Sequence, residues 1–162
     1  MFTALVAQLD KGFRFFLASL IALMVLCVTW QIVSRYVLGD PSQWTEELAR
    51  FLLIWIGLLG GAYAYHVKMH LGLDILSNKL TGSKKVLHAL FVHVLVILFS
   101  AAVLIVGGLR IVQMTTELKQ YSAALEVPMA FIYSALPISG VMLILYAAIA
   151  IIETLAPQAM ED

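Results

Sequence analysis

The sequence predicts an all-α integral membrane protein: a bundle of four transmembrane helices with short interfacial amphipathic helices and both termini in the cytoplasm. Three observations carry this reading. Four long apolar runs, Phe15 to Leu38, Phe51 to Tyr65, Val86 to Ile111 and Phe131 to Ile152, fill most of the 162 residues. Hydrophobic residues make up 62% of the chain and charged ones only 12%, far from the balance of a soluble domain. The charges that exist stand mainly at the ends of the runs. A hydrocarbon core about 30 Å thick needs roughly 20 residues rising 1.5 Å each, and a lipid-exposed backbone must satisfy its own hydrogen bonds, which a helix does. The second run reaches that length by drawing in its amphipathic start from Trp44.

In chain order the expectation is one membrane domain, 1–162: an interfacial segment at 1–12, a first span at 13–38, a second at 42–65, a cytoplasmic loop with a short surface helix at 66–85, a third span at 86–111, a periplasmic loop at 112–128 and a fourth span at 129–154. The opening segment sets Phe2, Leu5, Val6, Leu9, Phe13 and Phe16 at helical spacing with Gln8, Lys11 and Arg14 on other faces. That pattern fits a helix lying in the membrane surface and turning inward at Gly12, or a plain extension of the first span. The first run is longer than the core of a signal peptide and has no small-residue cleavage site behind it, so it is expected to remain as a span. Asp40-Pro41 reads as a helix start, an oxygen acceptor at the cap followed by proline at the first helical position, with Gln43 as a capping-box partner. On the second helix Trp44, Leu48, Phe51 and Trp55 share one face while Glu46, Arg50, Gly57 and Gly61 fall on another. Gly57-x-x-x-Gly61 is the spacing that lets membrane helices approach closely.

Further on, Leu73, Leu76 and Leu80 keep helical spacing before Thr81-Gly82-Ser83, where a break and a new helix capped by Ser83 are expected. Gly107-Gly108 lies near the outer end of the third span, and Arg110 is placed to snorkel. Pro137 must bend the fourth span and release a carbonyl near Tyr133, which Ser134 or a neighbouring helix is expected to satisfy.

Orientation follows from the basic residues. Lys11, Arg14, Lys68, Lys79, Lys84 and Lys85 lie on one side, Arg35, Arg50, Arg110 and Lys119 on the other, and six against four puts both termini in the cytoplasm. Lys11, Arg14, Lys84 and Lys85 then meet anionic phospholipid headgroups.

Function classes narrow from what the spans lack. The single cysteine, Cys27, excludes a dithiol redox cycle and reads as packing. A net charge of +0 gives no field for nucleic acid. No acid lies mid-span, where a self-sufficient carrier holds substrate and coupling ion. Of the four histidines, His66, His70 and His88 sit at the membrane edge and only His93 goes deeper, one ligand short of a bis-histidine haem. No cofactor, metal or catalytic residue is expected. The densest polar feature is Glu46, Glu47 and Arg50, spaced to pair along one helix and, at the hydrocarbon edge, suited to shielding by a partner protein.

The residues Arg35-Tyr36, Gly39, Trp44-Thr45-Glu46-Glu47-Leu48-Ala49-Arg50, Trp55, Gly60-Gly61-Ala62, and His70 followed by Asp74 resemble the small membrane subunit (DctQ/SiaQ type, Q subunit) of tripartite ATP-independent periplasmic (TRAP) transporters. Tyr121, Leu125-Glu126-Val127-Pro128, Tyr133 and Pro137 are similar to that family's last loop and fourth helix. Where many members carry an arginine just after the second span, this chain has His66. The resemblance implies a non-catalytic scaffold that pairs with a large multi-span M-type subunit, which carries the sodium-coupled substrate site in elevator fashion. A soluble periplasmic P-type protein would deliver an organic acid such as sialic acid or a C4-dicarboxylate. The expected large-subunit interface is Arg35, Trp44, Glu46, Glu47, Arg50, Trp55, Gly57 and Gly61. The expected periplasmic docking surface is Asp40, Ser42, Gln43, Glu117, Lys119 and Glu126. The competing expectation is a stand-alone homo-oligomeric carrier or channel.

Overall fold

The computed structural model describes residues 2–67 and 83–155, with side chains omitted at 2–7, 9 and 83. Within it, helix α1 covers Phe2–Tyr36, α2 Gln43–His66, α3 Ser83–Phe99, α4 Gly108–Glu117, α5 Met129–Tyr133 and α6 Ala135–Leu155. A π-helical segment, Ser100–Gly107, joins α3 to α4 without a break, so the third span is one rod from Ser83 to Glu117. Four helices are long and apolar enough to cross a membrane, over Asp10–Tyr36, Gln43–His66, Lys84–Glu117 and Met129–Leu155. The surface helix expected around Leu73, Leu76 and Leu80 lies outside the described residues, as do Lys68, Lys79, His70 and Asp74.

The helices pack in a row. The backbone of α1 approaches α2; α2 lies between α1 and α6; α6 lies between α2 and the third span. A row leaves both broad faces uncovered, which is why large apolar side chains such as Phe15, Leu26, Phe91, Leu98 and Val103 are exposed, as lipid-facing residues must be. Buried contacts lie along the α1–α2 seam, the α2–α6 seam and between α6 and the π segment. Tyr65, Tyr146 and Ala147 form a core with Val96, Ile97, Met142, Leu143 and Ile149 against it. Small residues make the second seam possible. A Cβ on Gly108 would stand 2.8 Å from Leu136 Cβ and 2.9 Å from Pro137 Cδ, and one on Gly140 2.9 Å from both Ile105 Cγ1 and Leu104 Cβ.

Several local expectations change in the structure. α1 runs straight through Gly12, so the opening segment continues the first helix and the inward turn at Gly12 is absent. At 35 residues α1 extends about 52 Å, well beyond a hydrocarbon core. The N-cap position of the second helix falls at Ser42 rather than Asp40, and the Ser42 side chain makes no capping hydrogen bond. Gly39, at φ +70°, reverses the chain and the Asp40 N–H donates to the Ser34 carbonyl at 3.1 Å, so Asp40 belongs to the turn that closes α1 and lies ahead of the start of α2. The helix therefore starts beyond Pro41, and Gln43 is its first residue, not a capping-box partner. The third span stays helical to Glu117, so the loop expected from 112 begins at Leu118. Hydropathy marks where lipid ends, and a helix continues past that plane at no backbone cost. In the fourth span, Ser134 donates its hydroxyl to Phe131 O at 2.6 Å rather than to the carbonyl freed by Pro137, and the helix is interrupted there between α5 and α6.

Candidate subunit interface

The motif Trp44-Thr45-Glu46-Glu47-Leu48-Ala49-Arg50 forms the first two turns of α2, and its members point in different directions. Thr45 is fully buried against α1, where the Cys27 thiol donates to its carbonyl at 3.1 Å. The Thr45 hydroxyl turns back to the Ser42 carbonyl at 2.9 Å. Cys27 thus packs the α1–α2 seam, the role its lone occurrence suggests.

Glu47 and its neighbour Glu46 do different work. Glu46 and Arg50, one helical turn apart, pair at 3.2 Å on an exposed face, as their spacing predicts. Glu47 does not join them. Its carboxylate accepts the backbone N–H groups of Ala123, Ala124 and Leu125 at 3.0, 2.9 and 2.8 Å. Three successive amides converging on one carboxylate form an anion nest, and hydrogen bonds to a charged acceptor are the stronger kind.

This clip fixes the loop between α4 and α5. The loop closes on itself as well: Tyr121 pairs with Pro128 in an antiparallel bridge, and the Ser122 N–H reaches Val127 O at 2.9 Å. In return Ser122 Oγ accepts the Val127 N–H at 3.2 Å. Lys119 and Glu126 take left-handed φ values of 47° and 53° at its two bends. Sequence reasoning had Glu47 and the loop as separate features; the only signal linking them was that both fell within the same family resemblance.

The uncovered face of α2 is the second feature. Glu46, Arg50, Leu53, Gly57, Gly60 with Gly61, and Ala64 recur at three- and four-residue spacing, so they line one stripe along the helix. Glu46, Arg50, Leu53 and Gly57 are exposed, and Gly60, Gly61 and Ala64 are half-buried. A Cβ added at Gly57, Gly60 or Gly61 would meet nothing within 4 Å. Among the described residues these glycines bring no helices together. Gly60, absent from the expected interface, belongs to the same stripe.

The remaining expected residues scatter around these two features. Arg35 is exposed at the end of α1, and Trp44 is exposed beside the motif. Trp55 turns toward α5, its ring 5.7 Å from that of Phe131, so it packs within the chain. Asp40, Gln43, Glu117, Lys119 and Glu126 are all exposed at the loop end, whereas Ser42 is half-buried with its N–H on Ser34 Oγ at 3.4 Å. At the opposite end Lys11, Arg14, Lys84 and Lys85 are exposed, Arg14 lying 3.6 Å from Asp10. His93 is hydrogen-bonded through Nδ1 to the Tyr65 hydroxyl, which places it inside the packing between the second and third spans.

What fold and surfaces define is a membrane protein whose polar groups organise its own loops and whose open helix face offers close packing. Residues 24–156 match the family described as tripartite ATP-independent periplasmic transporters, DctQ component, and the chain belongs to that family. It is a multi-pass protein of the bacterial inner membrane, from a family of permease subunits and not of enzymes. It is 34% identical over 88 residues to the sialic acid TRAP transporter small permease protein SiaQ of Vibrio cholerae, covering 54% of this chain and 51% of that one. It is 30% identical over 159 residues to the isethionate TRAP transporter permease protein DctMQ of Oleidesulfovibrio alaskensis, covering 93% of this chain but 24% of that one. It is 29% identical over 102 residues to the C4-dicarboxylate TRAP transporter small permease protein DctQ of Rhodobacter capsulatus, covering 63% and 44%. The chain thus spans about half the length, or less, of these three relatives.

Proposed function

We propose that this chain is the stationary scaffold subunit of a TRAP transporter, and that its α2 stripe seats a helix of the large M-type membrane subunit. The observation that carries the assignment of the face is the open run of Gly57, Gly60 and Gly61, where an added Cβ would meet nothing within 4 Å among the described residues. In lipid, helices associate through close packing and not through hydrophobic drive, so an unfilled small-residue surface is where a partner gains most. The Glu46–Arg50 pair at the same face's outer end would be shielded by that partner. The DctMQ relative, in which the match takes up 24% of the length, supports a working unit much larger than this chain.

In this reading the large subunit carries the sodium-coupled site and moves in elevator fashion, and a periplasmic binding protein delivers an organic acid. The relatives' names, sialic acid, isethionate and C4-dicarboxylate, share an anionic substrate. Both termini lie in the cytoplasm, which puts the clipped 118–128 loop with Glu117, Lys119 and Glu126, and the turn at Asp40, Ser42 and Gln43, on the side where a binding protein docks. Lys11, Arg14, Lys84 and Lys85 then face phospholipid headgroups.

Co-expression with the large subunit and purification through a tag on this chain tests the proposal. A stable hetero-complex that takes up substrate in vesicles under a sodium gradient, with no uptake by this chain alone, is the expected result. Uptake by vesicles holding only this chain would establish the stand-alone carrier instead.

A further inference from the structure

We propose that Asp10 and His66 form a proton-dependent latch that seats the amphipathic N-terminal arm of α1, residues 2–14, against α2 and α6. His66 Nε2 lies 3.5 Å from Asp10 Oδ1, with the two side chains only 23% and 18% exposed. That oxygen is buried and has no hydrogen-bond partner. Arg14 Nε stands 3.6 Å from the other carboxylate oxygen, but the arginine is 58% exposed and its charge is screened by water.

Around this pair four rings close a circuit. Phe13 lies 6.1 Å from Tyr63, Tyr63 6.2 Å from His66, His66 stacks on Tyr146 at 4.3 Å and 19°, and Tyr146 meets Phe13 edge-on at 6.4 Å. The circuit joins α1, α2 and α6. Among the described residues the backbone of α1 approaches only α2, and these side chains link it to the fourth span.

A buried carboxylate oxygen with no donor is unfavourable. An imidazolium at 3.5 Å supplies the opposite charge, whereas a neutral ring at that distance supplies no charge and only a long hydrogen bond. The same proton places positive charge over the Tyr146 face, which favours it further. The charged and titratable groups facing His66 are Asp10, with Arg14 behind it, from α1; Tyr63 from α2; and Tyr146 from α6, itself within electrostatic reach of Asp10 and Tyr63. Tyr65 and His93 pair with each other nearby. Of these only Asp10 and His66 make an ion pair across helices, and it exists while His66 holds its proton. The ionic contact requires the imidazolium, so removing that proton leaves Asp10 Oδ1 without an opposite charge and loosens the arm.

Hydrogen exchange of the full chain in lipid nanodiscs, followed by mass spectrometry and corrected for the intrinsic pH dependence of exchange, reads the latch. Amides of residues 2–14 should be about fivefold better protected at the acid end of a pH 6 to 8.5 series than at the alkaline end, the size expected of a partly exposed ion pair. His66→Arg should hold the higher protection across the series. His66→Gln and Asp10→Asn should show the lower protection throughout, while peptides from α6 stay unchanged in every variant. A native chain whose arm protection is flat with pH, or a pH dependence that survives in His66→Gln, overturns the proposal.

Discussion

Two sets of glycines in this chain look alike in the sequence and do opposite things. Gly108 and Gly140 stand where a Cβ would strike atoms 2.8 to 2.9 Å away, and they hold the third and fourth spans together. Gly57, Gly60 and Gly61 face open space within the chain. Small residues at helical spacing announce close approach, and only the packing says whether the approach is to this chain or to something else. The first set builds the fold; the second is the face we propose for assembly.

The largest expected effect is therefore at the first set. Gly140→Leu or Gly108→Leu should destabilise the chain by about 1–3 kcal/mol or more through overpacking, read as a lower melting temperature of the chain purified alone. Gly57→Leu and Gly61→Leu should leave that temperature unchanged while lowering the yield of complex with the large subunit by about tenfold, as loss of one well-packed contact worth about 1.4 kcal/mol implies. If Gly57→Leu melts the isolated chain as badly as Gly140→Leu, the contrast fails and the α2 stripe is internal.

Next in size is Glu47→Ala, which leaves the amides of Ala123, Ala124 and Leu125 without their acceptor. Exchange of residues 121–128 should speed up about tenfold, given the strength of charge-assisted bonds, with the spans unaffected. Glu46→Gln should leave the same loop untouched, which separates the two adjacent carboxylates. The smallest of the losses of a contact within the chain belongs to Arg50→Glu. An exposed helical pair is worth no more than about 0.5 kcal/mol, so melting should barely move. Uptake by the assembled transporter should fall nonetheless if this pair lies under the partner.

How far the sequence carried these conclusions depends on the range of the interaction. The four spans were legible because lipid imposes a length and an apolar composition on every span, and the Glu46–Arg50 pair because helix geometry makes residues four apart neighbours. Interactions within a turn or across the chain were not. Asp40 has the chemistry of a cap, but it lies in the turn that closes α1, ahead of the helix start at Gln43, and nothing local to Asp40-Pro41 reports that. Residues 112–117 read as loop because they are polar, although polarity ends the membrane and not the helix. Glu47 and the amides of 123–125 are far apart in sequence, as are Asp10 and His66, and no periodicity connects either pair. The motif around Trp44 located the important stretch without saying that Thr45, Glu46 and Glu47 serve a helix seam, an exposed face and a loop in turn.

The π-helical stretch from Ser100 to Gly107 has a consequence for how the rod beside it can vary. A π-helical turn corresponds to an α-helix that has accommodated an added residue. Here the widened stretch lies between two fixed seats, Ser100 buried at one end and Gly108 against Pro137 at the other. Because Leu104 and Ile105 within this stretch also meet Gly140, a residue removed here would displace that contact together with the two ends, so chain length and docking geometry are coupled through the widened turn.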